Sequence, residues 1–366
     1  MVIYMKQIIK WEIYKILIAR LGIVFIFLYC ILQVIFGIYN NSKLENKLSP
    51  ITQNYIDSYY REYGGKLNEN NCKNIEYKKT IIDNAVVKQQ EALIKYENAS
   101  ITESDFNSII ENTFSSVKER NAFEIFYKNY NYCKDNIDKR FLINTSSWEV
   151  LLNVNSPDFA ISFLLIALIA FSYIDDVNKK TLETIKNTKS GFSEIFWCKL
   201  IAFILLAIFI GLLEQLGKII ISINTAPIHN YSAPIQSLYF FSNSNYNISL
   251  LEAFIWGSVI KIWGLIYLSI ITNTIILLIK NVMISTFSAA VILILPYFLL
   301  NKDNLYLSIP LPIGFLQQNI FFVNNNKPNK WIYASNGLLF LLITTFVISA
   351  ILTIISYYYY KNRSYR

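Results

Sequence analysis

Long apolar runs alternate with polar stretches along this chain, and the runs set its architecture. Six of them, Leu21–Ile38, Phe159–Ile174, Leu200–Ile223, Ile262–Ile279, Val282–Leu300 and Trp331–Tyr358, are apolar all round rather than striped on one side. Uniform apolarity over a length near the roughly 20 residues that cross a ~30 Å hydrocarbon layer predicts transmembrane helices. Pro296 falls inside the fifth run, where neighbouring helices can supply a partner for the backbone group it frees. The pattern predicts an all-α polytopic membrane protein with six transmembrane helices and one polar domain between the first and second.

Three regions follow. Residues 1–38 form an amphipathic N-terminal helix and the first span. Met5, Ile9, Ile13 and Ile16 share one face, Lys6, Lys10 and Tyr14 another, and Glu12 interrupts the apolar face; such a helix suits a membrane interface. The first apolar run exceeds the roughly 7 to 15 residues of a signal-peptide core and lacks a small-x-small cleavage site, so it is expected to remain as an anchor. Residues 39–157 form a helical domain. Ser49-Pro50 is an N-cap and first-turn pair for a helix through Tyr63, closed by Gly64-Gly65. The stretches Ile75–Tyr96 and Glu103–Tyr132 have no Gly or Pro and place charges at i,i+4 spacing, as in Glu91 with Lys95 and Glu124 with Lys128. About three long helices are expected, with Trp148, Val150 and Leu151 packing down near the second span. Residues 158–366 form a five-span membrane domain with an inward loop at 175–199.

Composition agrees with this class. With 54% hydrophobic, 16% aromatic and only 16% charged residues, the chain is too apolar for an ordinary soluble protein of 366 residues. The net charge of +8 does not point to nucleic acid, because the basic excess sits beside span ends. Lys6, Lys10, Lys15 and Arg20 precede the first span, Lys179, Lys180, Lys186, Lys189 and Lys199 lie between the second and third, Lys280 divides the fourth and fifth, and Lys361, Arg363 and Arg366 follow the sixth. With six spans all fall on one side, which the positive-inside rule makes cytoplasmic, so both termini are expected inside and the 39–157 domain outside.

Candidate chemistry is sparse. Cys72 and Cys133 both lie in the polar domain, where an oxidising compartment would let them form one disulfide contributing about 4 kcal/mol, or leave them as two buried thiols. Glu214 and Lys218 at i,i+4 and Lys261 are expected near the outer interface as snorkelling charges, and Thr272 and Asn273 are polar at mid-membrane; these are the pathway candidates. The stretch Leu305–Val323 carries Pro310, Pro312 and Gly314 and is expected to form short re-entrant or interfacial helices rather than a span. His229 is the only histidine, and no phosphate-binding G-x-x-x-x-G-K-[ST] loop occurs, so neither a histidine-rich metal centre nor an ATPase site of that kind is expected in this chain.

The polar island between the second and third runs carries the functional signal. Its order, Asp175-Asp176, then Lys180-Thr181-Leu182-Glu183, a polar break, then Ser193-Glu194-Ile195 and Lys199-Leu200-Ile201, resembles the loop between the second and third spans of type-2 ATP-binding-cassette exporter permeases. Lys180 stands where that class usually has glycine, and Lys189–Gly191 lacks its common proline or Ser-Arg. The resemblance implies a permease subunit in a bacterial plasma membrane, exporting a peptide or hydrophobic substrate. It implies a homodimer, or a heterodimer with a similar permease, driven by a separate cytoplasmic ATPase that holds ATP and magnesium. It also implies that Asp176, Thr181, Phe192, Glu194 and Lys199 belong to the coupling element, and that the segment before the sixth span dips back toward the bilayer. On a helix starting near Lys179, Leu182 and Ile185 share a face at i,i+3 spacing and would anchor the ATPase. The alternative is a membrane receptor with an extracellular ligand-binding domain, which would need a cytoplasmic signalling domain; a membrane-bound transferase would need clustered acidic or histidine side chains at an interface.

Overall fold

The computed structural model describes residues 2–45, 49–153, 158–178, 191–279, 281–300, 309–323 and 335–362. Among them the fold is all-α, without strands. Five helices are long and apolar enough to cross a membrane: α2 (Gly22–Glu45), α8 (Gly191–Thr225), α9 (Leu250–Leu278), α10 (Val282–Leu300) and α12 (Ser335–Asn362). The second predicted span appears as the apolar stretch Phe159–Ile174 of α7 (Phe159–Asn178), shorter than the other five.

Burial ranks the helices. In α8 and α9 about half of the apolar window is inside the protein, 56% and 50%, against 11% in α2 and 17% in both α10 and α12. α8 and α9 therefore form the centre, and α2, α7, α10 and α12 pack around them. The outward faces of α2, α10 and α12 expose Phe27, Phe36, Phe298, Phe340 and Ile354, as a lipid-facing surface requires. The N-terminal α1 (Val2–Tyr14) lies against α8, with the expected polarity: Lys6, Lys10 and Tyr14 are exposed, Met5, Ile9 and Ile13 half-buried, and Ile16 buried. A π-helical turn, Lys15–Ala19, and the left-handed Leu21 (φ 56°) join α1 to α2.

The polar domain has its own core. α3 (Pro50–Tyr63) starts where Ser49 accepts the Thr52 N–H at 3.2 Å and stops at Gly64, followed by Gly65 at φ 111°. α4 (Glu69–Glu97) is capped by Asn68, and α5 (Glu103–Lys134) opens with a capping box between Thr102 and Asp105. Tyr59, Ile75, Ile82, Phe123, Phe126 and Tyr130 are buried between these helices. Gly65 and Leu142 exchange backbone hydrogen bonds of 2.8 and 2.9 Å, closing the domain where the chain leaves it.

Three expectations are corrected. The fourth span begins at Leu250 rather than Ile262, because Ser249 and Glu252 form a capping box twelve residues earlier. Glu124 pairs with Arg120 at 2.9 Å instead of Lys128, one turn back instead of one turn on. α6 (Ser146–Leu151) buries Trp148 and Leu151 against the end of α8, the third span, where the Ser222 hydroxyl donates to the Ser147 carbonyl at 2.8 Å. The predicted interruption before the last span is present: α11 (Pro312–Leu316) and a 3₁₀ turn, Gln318–Phe322, fold back onto α9. There Phe315 sits so close to Gly264 that a Cβ on that glycine would come within 2.6 Å of the Phe315 Cβ.

Candidate functional site: two buried charge networks on α8

α8 acts as a ruler through the molecule. From Lys199 to Ser222 it spans about 35 Å at 1.5 Å per residue. α1 binds its first part and the polar domain its end, so these two sit at opposite ends of the bundle. Each end carries buried ionic groups.

At the first end, Lys199 points inward. Its Nζ lies 3.0 Å from Glu12 Oε2 and 3.0 Å from Ser172 Oγ, both ionic side chains are almost fully buried, and Lys15 reaches the other Glu12 oxygen at 3.3 Å. The ammonium also sits 4.8 Å from the Tyr173 ring centre, and the Tyr173 hydroxyl donates to Asn273 Oδ1 at 2.5 Å. One chain of contacts thus ties α1, α7, α8 and α9. The attraction has to offset the desolvation of both ions, which only close geometry and added hydrogen bonds achieve. Glu12, which breaks the apolar face of α1, is the counter-ion that the α8 lysine needs.

At the other end, Lys261 of α9 is held between two carboxylates, Glu214 of α8 in direct contact and Asp158 at 3.6 Å. Lys218 takes the same Glu214 oxygen at 3.0 Å. From α2, the Tyr29 hydroxyl donates to Asp158 at 3.2 Å and the Gln33 amide donates to the Glu214 carbonyl at 3.1 Å. Asp158 also accepts the Ile161 N–H at 3.4 Å in the first turn of α7. Two ammonium groups and two carboxylates balance. The expectation of snorkelling charges is corrected here: Glu214 and Lys261 are enclosed at 0% and 1% exposure, because each meets an opposite charge inside the protein instead of water.

The remaining pathway candidates have structural partners. Thr272 donates to the Leu268 carbonyl of its own helix at 2.8 Å, and Asn273 makes the interhelical bond to Tyr173. Of the residues expected in a coupling element, Asp176 lies near the end of α7 and Phe192 near the start of α8. Thr181, Leu182 and Ile185 lie outside the described residues. Glu194 is in the first turn of α8, half-buried. Lys199 is buried and donates to Glu12 and Ser172.

Cys72 and Cys133 are both free thiols in the structure. Cys133 is buried and donates to the Phe141 carbonyl at 3.4 Å; burial pushes its thiol up to about 12. Among the described residues no group of three or more His, Cys, Asp or Glu side chains is placed to hold a metal ion.

Sequence reasoning missed the partners rather than the charges. Glu12 and Asp158 carried one available signal, that ionisable groups beside apolar runs need opposite charges within the same layer, whereas the neutral Ser172 and Tyr173 carried none. Comparison of the chain with protein-family models, with curated proteins and with solved structures finds no match.

Proposed function

We propose that the chain is the membrane subunit of an ATP-driven exporter of the type-2 ATP-binding-cassette class. In this reading α7 crosses the membrane as a sixth span between α2 and α10, both chain ends and the 179–190 loop lie in the cytoplasm, and the polar domain lies outside. Two permease subunits, identical or similar, enclose the pathway, and a separate ATPase holding ATP and magnesium grips the inward loop. Closure of the ATPase pair rocks the helices between inward and outward access for a peptide or hydrophobic substrate.

The observation that carries this reading is the lock between α1 and α8. The loop 179–190 leads directly into α8, and Lys199 fixes α8 to α1 through Glu12. A displacement of the loop would therefore carry an interfacial helix and the central helix as one body, which is what a coupling element must do. Co-purification with a co-expressed ATP-binding-cassette ATPase tests it. Replacing residues 179–190 by a Gly/Ser linker should abolish co-purification, and Leu182→Asp with Ile185→Asp should uncouple ATP hydrolysis from transport while membrane insertion stays intact. Undiminished capture of the ATPase by the linker variant would refute the assignment.

A further inference from the structure

We propose that the cleft between α3, α5 and α6 binds a small zwitterion, of amino-acid to tripeptide size, with Lys128 receiving its carboxylate and Glu149 its ammonium group. The cleft has a volume of about 530 Å³ and is walled by Tyr60, Tyr132 and Tyr239. That lies within the roughly 300 to 1,000 Å³ of small-molecule sites, which combine aromatic walls with a few placed polar groups.

The charges define the ligand. Lys128 and Glu149 both line the cleft yet form no ion pair with each other. Lys128 also has no ion-pair partner among the described residues, because the carboxylate one turn before it, Glu124, is taken by Arg120. Glu149 accepts the Thr145 hydroxyl on one oxygen at 2.7 Å, which orients the carboxylate and leaves the other oxygen for a ligand. An unpaired cation and an oriented anion sharing one concavity match a molecule that carries both charges.

The walls are held in place before any ligand arrives. Tyr132 donates to the Gln236 carbonyl at 2.7 Å and has the Arg140 guanidinium 4.1 Å from its ring centre. Tyr239 packs against it with ring centres 5.7 Å apart, and it is 74% exposed at the rim. The Asn129 amide donates both to the Tyr60 hydroxyl and to the Ile143 carbonyl at 2.9 Å. Fixed aromatic walls lower the ordering cost of binding and offer flat apolar surface to a side chain. Ile56 and Ile125 complete the apolar lining.

The proposal needs neither a partner ATPase nor the six-span reading, so it stands or falls separately from the exporter assignment. The test is calorimetric titration of the full-length protein in detergent with the tripeptide Ala-Tyr-Ala, its N-acetylated form and its C-amidated form. The free tripeptide should bind saturably, and each blocked form should bind about tenfold or more weakly, the scale of one lost charge-assisted hydrogen bond. Lys128→Gln should remove the discrimination against the amide and keep that against the acetyl form. Glu149→Gln, which keeps an oxygen for Thr145, should do the reverse. Absence of saturable binding, equal binding of all three peptides, or unchanged discrimination in both variants would overturn the proposal.

Discussion

Glu12 and Lys199 stand 187 residues apart in the chain, yet their side chains meet at 3.0 Å with almost no solvent access. The pair joins an amphipathic helix at the start of the chain to the central helix of the bundle. Neutralising Lys199 leaves Glu12 with Lys15 alone, and neutralising Glu12 takes a close counter-charge from the buried Lys199; breaking a buried pair costs up to about 3–5 kcal/mol. We therefore expect Glu12→Gln and Lys199→Met each to lower the melting temperature strongly, and the double variant carrying both to recover much of the loss. Thermal denaturation of the detergent-solubilised protein as a double-mutant cycle measures this; additive losses would show that the two residues do not act as a pair.

The Asp158, Glu214, Lys218 and Lys261 network predicts a neutrality rule. Lys261→Met leaves two carboxylates facing a single ammonium group and should reduce the fraction of chain recovered as a monodisperse species. Adding Asp158→Asn removes one negative charge, keeps an oxygen for the Ile161 N–H, and should restore recovery. Size-exclusion profiles of fluorescently tagged variants report it; a double variant worse than the single would show that the Asp158 charge is needed for itself.

The two domain cysteines should differ in reactivity. Cys133 is enclosed and its thiol is held protonated well above neutral pH, whereas Cys72 is half-buried. Maleimide should therefore modify Cys72 faster than Cys133 in the folded protein, and both should react after unfolding without reductant. If unfolding alone exposes neither, and reductant exposes both, the two are joined.

Glu76 gives the polar domain an acid-sensitive contact. Its carboxylate receives the Lys134 ammonium at 2.8 Å and the Tyr127 and Tyr130 hydroxyls at 2.9 and 3.2 Å. These bonds, that from Lys134 foremost, hold its pKa below the ordinary glutamate value. A folded-state pKa below the unfolded one contributes stability that is present above the ordinary glutamate range and is lost as pH falls through the folded value. Melting temperature followed downward from neutral pH should fall through that range, and less steeply in Glu76→Gln. Parallel profiles for the two proteins would assign the acid sensitivity to other groups.

The sequence made some elements legible and hid others for a physical reason. Local chemistry marks helix ends, so Ser49-Pro50 and Gly64-Gly65 bounded α3 as expected. Uniform apolarity likewise marked the five long apolar helices, because a helix in lipid needs no stripe. Pairing across the fold left no local mark. Lys261 looked like the outer edge of the fourth span because an isolated lysine belongs at an interface, whereas Glu214, 47 residues earlier, neutralises it inside α9. Glu12 looked like a flaw in an amphipathic face for the same reason. The cleft beside α5 was equally hidden, since Glu124 has lysine and arginine at the same spacing and only the folded helix shows which one it takes.

The loop between α8 and α9 is short of free play. Its backbone closes on itself through Pro234 and Ser249, and the Gln236 amide donates to the Ser244 and Tyr246 carbonyls. The polar domain rests on that loop through Tyr132 to Gln236, the Phe141 N–H to Ser237, and Trp148 to His229. It therefore cannot swing as a pendulum on its two chain connections. Any torque applied to the domain is delivered to the roots of α8 and α9, the two helices that share the Glu214–Lys261 contact.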